Sequence, residues 1–444
     1  MRETFRWIGY CLLAIIVTVA IVFAAYRIRG PSHAQREALA LMQKDYRPKE
    51  GTNAFPLLWY VEYDVPDAEV APRFASEIAV FRAALDVDKI PIPYEPHASK
   101  LAETSGDASR LCEFRADGCL SKVTADPAVM RATLASYSVI RARDGRLATA
   151  DYYWNDFPVD SRAVPVAVPH LAQRVWLSAY ALEYADGHRS EALADTCTNL
   201  DAWRRMHRGT NSLIGSMIAI AFADGATRLF ADMLAALPAD EPVPDACMRA
   251  LRPIEAADVD RCAEMAGEFA FSRRTFEFSA APREQDESWV ERVGWWITLD
   301  IPQWEGWIAE QQAYSCEDGP VSLLADAARP APRVAVTERL ECISSINGCV
   351  LADIAAPAYA GYDERTLDYA AHLRLAAALL WLRDTTSAKS LAERFAERPV
   401  TLRSGTRDSG YDAASSLLFV DNLWAGRGTR FVLPVADARA SGSR

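Results

Sequence analysis

The chain has 444 residues, of which 50% are hydrophobic and 24% are charged. This is the composition of an ordinary folded protein with enough length to bury a core, and it excludes a disordered tether. The formal net charge of −12 repels phosphate backbones, so no nucleic-acid partner is expected.

The first element is an apolar segment near the N-terminus. Residues 7–26 carry no formal charge, and a helix rising about 1.5 Å per residue over that length spans the roughly 30 Å hydrocarbon layer of a bilayer. Arg2 and Arg6 precede the segment, and Arg27 and Arg29 follow it. The pattern predicts a transmembrane signal anchor within residues 1–30, in contact with the membrane through residues 7–26.

A cleavable signal peptide is the alternative, because Val22, Phe23 and Ala24 fit a small-x-small cleavage site. The apolar run is longer than the usual h-region of about 7 to 15 residues, which favours retention. The flanking arginines are balanced, so charge does not orient the helix. A short leading tail most simply stays inside, which predicts a single-pass bacterial inner-membrane protein with its large C-terminal domain in the periplasm.

After the anchor, helical patterns follow one another along the chain. Asn53 is placed to cap a short helix that has Pro56 in its first turn. Helices are then predicted from Pro169 to a stop at Asp186-Gly187, and from Ser190 onwards, as a helix pair. Ser212 caps a third helix, whose apolar run is too short to cross a bilayer and therefore predicts a buried central helix.

Further helical patterns occur at residues 258–278, 286–298, 303–314 and 363–384, with a linker predicted at residues 320–332. Residues 416–420 and 429–433 are β-rich and predict a hairpin. The predicted fold is mainly α: a transmembrane helix, then an irregular helical bundle or solenoid-like array of helix pairs, then a small C-terminal β-hairpin. The predicted domains are residues 31–320 and 333–444.

Eight of the nine cysteines follow the apolar segment, an even set that indicates disulfides in an exported domain. Cys112 with Cys119, and Cys342 with Cys349, share one pattern: six residues between the cysteines, a Gly before the second, and Pro-Ala eight residues later. Asp-Gly and Asn-Gly turns would fold each loop back on itself, which predicts these two disulfides.

A zinc site is the alternative to these two disulfides. It is disfavoured because zinc ligands usually lie about two to four residues apart and no histidine lies within either loop. No metal or cofactor is therefore expected. The spacing leaves open the pairing of the remaining four cysteines, Cys197, Cys247, Cys262 and Cys316.

Candidate chemistry is sparse. Glu264 and Glu268 lie four residues apart on a predicted helix, hence on one face, with Arg261 within reach of Glu264. Two acids and a cation could perform hydrolysis in a cleft, although the same spacing is common on solvated helices. None of the six histidines has the spacing of a metalloprotease motif, and no nucleophile-elbow, P-loop or dinucleotide motif is present.

A tryptophan cluster is the most unusual local feature. Its rings could stack on sugars or lie in a membrane interface, and a ligand surface would be formed by Trp289, Trp296, Trp304 and Trp307. Interleaved acidic residues disfavour anionic lipid. Trp289, Val293 and Trp296 have the spacing of a buried helix face, so core packing is favoured.

The Asn53-Ala-Phe opening and residues 181–237, with their Gly break and the run Ser212-Leu-Ile-Gly-Ser-Met-Ile-Ala-Ile-Ala, resemble a group of uncharacterised bacterial proteins. That group has an N-terminal anchor and a helical extracytoplasmic domain, and the resemblance implies no activity. The expected function is a non-enzymatic cell-envelope protein whose helical surface binds a protein or peptidoglycan partner. The alternative is an envelope hydrolase acting on glycan or peptide.

Overall fold

The computed structural model describes residues 2–86, 90–102, 107–280, 288–316, 335–385, 389–405, 407–424, 426 and 428–436. The first eight helices are α1 Arg2–Arg29, α2 His33–Met42, α3 Ala54–Trp59, α4 Asp67–Asp86, α5 Cys119–Ala125, α6 Pro127–Ala135, α7 Ser138–Ala142 and α8 Asp144–Ala148. The next are α9 His170–Ala185, α10 Arg189–Arg208, α11 Leu213–Ala236, α12 Asp245–Ala250, α13 Cys262–Ala280, α14 Trp289–Thr298, α15 Ile301–Ala313, α16 Ile346–Asp384 and α17 Leu391–Ala396. The strands are β1 Ser409–Asp412, β2 Leu417–Asp421 and β3 Arg430–Pro434.

Helix α1 is long and apolar enough to cross a membrane, and its apolar side chains are exposed. Helix α11 passes the same test of length and composition, but 78% of its most apolar window is buried. It packs against α9, α10 and α16 in the main core, so the prediction of a buried central helix is confirmed.

Local capping explains where several helices begin. The Asn53 side chain accepts a hydrogen bond from the backbone N–H of Phe55 at 3.0 Å, so α3 starts where the sequence predicts. Ser212 accepts from the N–H of Gly215 at 3.2 Å at the start of α11. The Gly break before Ser212 therefore separates two helices whose starting points the sequence predicts.

The hydrophobic core has two parts. The larger part contains α3 to α12, the second half of α16 and the sheet. The smaller part joins α2, α13, α15 and the first half of α16. The predicted linker at residues 320–332 lies outside the described residues, so the division at that point stays a prediction.

The C-terminal sheet has the order β1-β2-β3, and both pairs are antiparallel. Strands β2 and β3 form the predicted hairpin, with Leu418 opposite Leu433 and both side chains fully buried. Strand β1 was not predicted. Its sequence, Ser-Gly-Tyr-Asp, lacks the alternation of apolar and polar residues by which a strand is recognised.

Helix α16 begins much earlier than the predicted start at residue 363. The sequence predicts a non-helical turn at Asn347 and Gly348, but both residues lie in the first turn of α16. The turn prediction is right for the other loop, where Gly118 has a φ of +81°. Gly348 instead allows close packing, since an added Cβ would lie 2.5 Å from Ser345 Oγ and 3.2 Å from the Cβ of Trp304.

Four disulfides cross-link the domain. Two are the pairs predicted from spacing, Cys112–Cys119 and Cys342–Cys349. The other two are Cys197–Cys247, which joins α10 to α12, and Cys262–Cys316, which joins the start of α13 to the turn after α15.

The long-range disulfide is expected to contribute more stability than a local one. Cys197–Cys247 spans 50 residues and Cys112–Cys119 spans 7. By loop-closure entropy, the double substitution Cys197→Ala/Cys247→Ala should lower the free energy of unfolding by about 4 kcal/mol and Cys112→Ala/Cys119→Ala by about 2 kcal/mol. Urea unfolding of the full chain in detergent measures both. Equal losses, or no loss from the first pair, would contradict the assignment.

Candidate functional site

Helix α13 places the two candidate carboxylates beside the start of α11. An added Cβ at Gly267 would lie 2.0 Å from the carbonyl oxygen of Asn211, so only glycine permits this approach. The next residue, Glu268, accepts a hydrogen bond from the backbone N–H of Leu213. Glu264 lies one turn earlier on the same helix and is buried.

Glu264 is held inside the protein by other side chains. It forms an ion pair with Arg261, which also pairs with Asp363 of α16, and it is hydrogen-bonded to Ser216 of α11. All of these side chains are buried. Burial raises the pKa of Glu264, and the charge of Arg261 opposes that rise. Glu264 therefore acts as a structural carboxylate that joins three helices.

The same network extends to His207. Its Nδ1 lies 2.9 Å from Ser216 Oγ, and its Nε2 lies 3.1 Å from the carbonyl oxygen of Asp258. Asp258 accepts two hydrogen bonds from the fully buried guanidinium of Arg204, at 2.8 and 2.6 Å. Burial lowers the pKa of His207 to about 4, so this imidazole is neutral near pH 7.

Glu268 differs from Glu264 because it faces a cavity. The cavity has a volume of about 250 Å³, and its wall includes Asp160, Phe271 and Tyr362. A neighbouring cavity of about 650 Å³ shares Val159, Asn211 and Gly267 with it. The two neighbouring cavities along α13 are together called here the α13 cleft, and each is one of its lobes.

The smaller lobe of the α13 cleft holds two carboxyls whose pKa values are shifted in opposite directions. Burial and the nearby charge of Glu264 raise the pKa of Glu268 to about 7. Hydrogen bonds from Arg162 lower the pKa of Asp160. Near neutral pH, Glu268 can therefore donate a proton while Asp160 remains an acceptor.

The larger lobe combines aromatic rings with balanced charges. Trp154 and Tyr46 lie in its wall, together with two arginines and a lysine. Arg273 forms ion pairs with Glu277 at 3.1 Å and with Glu305 at 3.0 Å, so its charge is compensated within the protein. This lobe has no strong net preference for an anion or a cation.

The four tryptophans of the predicted ligand surface do not lie on one surface. Trp304 and Trp307 are buried in the smaller core, where Trp304 stacks on Phe276 with ring centroids 3.9 Å apart. They cannot present their rings to a ligand. Trp289 and Trp296 are exposed on α14, so the prediction of core packing is wrong for that helix. None of the four lines the α13 cleft.

Sequence reasoning missed Trp154 and Asp160. Both lie in an irregular segment between α8 and α9, where no periodicity predicts which side chains share a wall. Within the described ranges, no group of three or more His, Cys, Asp and Glu side chains is arranged to hold a metal ion.

Comparison with protein-family models, curated proteins and solved structures finds no match for the chain. The resemblance to anchored bacterial proteins therefore stays a prediction, and the site is interpreted from its own geometry.

The raised pKa of Glu268 gives a pH dependence of stability with a definite sign. Because the folded-state pKa of about 7 exceeds the ordinary value of 4.5, the native state binds more protons between these values. The contribution of protonated Glu268 to the free energy of unfolding is fully present below pH 4.5. It is lost as the pH rises through 7, and the loss is about 3 kcal/mol at most. Glu268→Gln, which mimics the protonated form, should flatten this dependence.

Thermal unfolding between pH 5 and pH 8, followed by circular dichroism on the full chain, measures the effect. Glu50→Gln is the matched control, since Glu50 is exposed. It should retain the wild-type slope. An unchanged slope in Glu268→Gln would show that this carboxyl does not titrate in the range.

Proposed function

We propose that this chain is a membrane-tethered, non-enzymatic protein of the bacterial cell envelope that binds cell-wall glycan in the α13 cleft. The observation that carries the proposal is the cleft itself, which combines partly exposed aromatic side chains, compensated charges and a carboxyl whose pKa is raised to about 7.

Two features support the tether and the compartment. Helix α1 has the length and the apolar composition of a membrane span, and most of its large apolar residues are exposed. Four disulfides are the cross-links of a domain that matures in an oxidising compartment, which for a bacterial inner-membrane protein is the periplasm.

The lining of the cleft supports a polar polymer with little net charge. Aromatic rings such as Trp154 and Tyr46 stack against sugar faces, and Glu268 can both donate and accept a hydrogen bond from hydroxyl or amide groups. The ion pairs of Arg273 lower the attraction for a highly charged ligand. The two lobes provide room for more than one sugar unit.

Trp154→Ala should weaken binding to peptidoglycan. The loss of one stacking ring corresponds to about 1 kcal/mol, or roughly a fivefold rise in Kd. Co-sedimentation of the full chain, in non-ionic detergent, with purified sacculi measures the Kd. Trp289→Ala is the matched control, because Trp289 is exposed outside the cleft. Equal Kd values for both variants, or no wild-type binding, would contradict the proposal.

A second candidate function is glycan hydrolysis, favoured by the opposite pKa shifts of Glu268 and Asp160. In this reaction the Glu268 carboxyl protonates the leaving glycosidic oxygen, and the Asp160 carboxylate removes a proton from the attacking water. The C–O bond breaks as the water oxygen bonds to the sugar carbon. Asp160 then releases its proton to solvent and Glu268 takes one up, which restores both groups.

Mass spectrometry of fragments released from sacculi tests this second function. Hydrolysis requires that Glu268→Gln and Asp160→Asn each lower the release rate by about 100-fold or more, while Glu50→Gln leaves it unchanged. Urea unfolding checks that Asp160→Asn remains folded, since Asp160 also binds Arg162. Binding without release would leave the non-enzymatic function standing and exclude hydrolysis.

A further inference from the structure

Helix α14 exposes an apolar face of unusual size. In the described structure none of its residues is buried. Six large apolar residues of this helix are between 44% and 70% exposed: Trp289, Val290, Val293, Trp295, Trp296 and Ile297. A surface helix of a soluble domain normally turns such residues towards the core. The orientation of α14 therefore requires an explanation.

The side of α14 that carries Thr298 faces the domain. At about 100° per residue, five of these positions fall within an arc of about 120°. Trp295 lies outside this arc, on the same side of the helix as Thr298. Thr298 Oγ1 accepts a hydrogen bond from Asn347 Nδ2 of α16 at 2.9 Å. The helix is thus attached to the protein through the side that carries Thr298, and the arc of five apolar residues points outwards.

This outward face is continuous with helix α1. The rings of Phe23 and Trp296 meet edge to face with centroids 6.3 Å apart. Arg27 donates hydrogen bonds to the carbonyl oxygens of Trp296 and Leu299, the second at 2.7 Å, and lies 3.5 Å from a carboxylate oxygen of Asp300. Because Phe23 belongs to the last turns of the apolar segment, Trp296 lies at the level where that segment ends.

A second apolar strip lies beside the first. Helix α1 also packs against the short turn Leu340–Ser344, and α14 packs against α16. The first turns of α16 expose four apolar residues at positions i, i+4, i+5 and i+8, which lie on one helix face: Ile346, Val350, Leu351 and Ile354. Apolar surface therefore lies on both elements next to the end of α1.

We propose that α14, together with the first turns of α16, lies in the headgroup region of the outer leaflet as an interfacial element beside the anchor. This inference rests on the proposed tether. Tryptophan is enriched in that zone because its ring is amphipathic. Glu291 and Arg292 balance each other on α14, and Arg27 is paired with Asp300. The element therefore fits a zwitterionic bilayer and needs no anionic lipid.

Tryptophan fluorescence of the full chain tests the proposal in liposomes of phosphatidylcholine brominated near the top of the acyl chains. Bromine quenches only rings that enter the lipid. Trp289→Phe/Trp296→Phe should lose the larger part of the quenched intensity, leaving the contributions of Trp7 and of Trp295, which lies outside the apolar arc. The quenching should not change with salt, since charge attraction is not involved. Trp154→Phe is the matched control and should retain wild-type quenching.

Different outcomes test the membrane tether and the interfacial position of α14. Release of the wild-type chain from liposomes by alkaline carbonate would refute the tether itself. Firm integration with equal quenching in the wild type and the double variant would overturn only the interfacial assignment. A wild-type dimer in detergent that Val293→Asp dissociates, with no bromine quenching from α14, would assign the face to a second copy and overturn the proposal.

Discussion

The approach of α13 to the start of α11 determines the geometry of the site. At Gly267 the helix backbone lies so close to the Asn211 carbonyl oxygen that any side chain would collide with it. This contact directs Glu268 towards the first N–H groups of α11 and makes Gly267 a shared wall of both lobes. A larger residue would separate the helices, and the cleft and the environment of its carboxyl would change together.

A buried network of polar side chains fixes the positions of these helices relative to one another. Arg204 and Asp258 are both completely buried, and the ion pair of Arg261 joins α13 to α16. Removing one partner from such a pair is far more costly than the pair is stabilising, because the other charge is left in a medium of low dielectric constant. The network thus specifies one packing of the helices. It also explains the separation of roles between Glu264, which belongs to the network, and Glu268, which borders the cleft.

The sequence predicts those features that depend on local signals. The apolar segment of α1, the caps at Asn53 and Ser212, and the hairpin of β2 and β3 all follow from short patterns, and so do the two short-range disulfides. The pairing of Cys197 with Cys247 depends on how α10 packs against α12, which no spacing reveals. Strand β1 is recognisable only through its neighbour β2.

The candidate site was predictable only in part, for a related reason. Helical periodicity correctly places Glu264 and Glu268 on one face. It does not indicate that Arg261 and Ser216 bind Glu264, or that Glu268 borders a cavity. The periodicity of α14 likewise identifies an apolar face without indicating what covers it. Trp154 lies in an irregular segment, where neither helix nor strand periodicity applies.

The short connection between α1 and α2 limits how far the domain can reach. Only three residues separate Arg29 from His33, and the residues that directly follow α2 form part of the wall of the α13 cleft. Helix α2, with ten residues, is about 15 Å long. With α1 in a bilayer, the cleft is confined to a layer a few nanometres deep above the lipid. The cleft can therefore bind only ligands that come within this distance of the membrane surface.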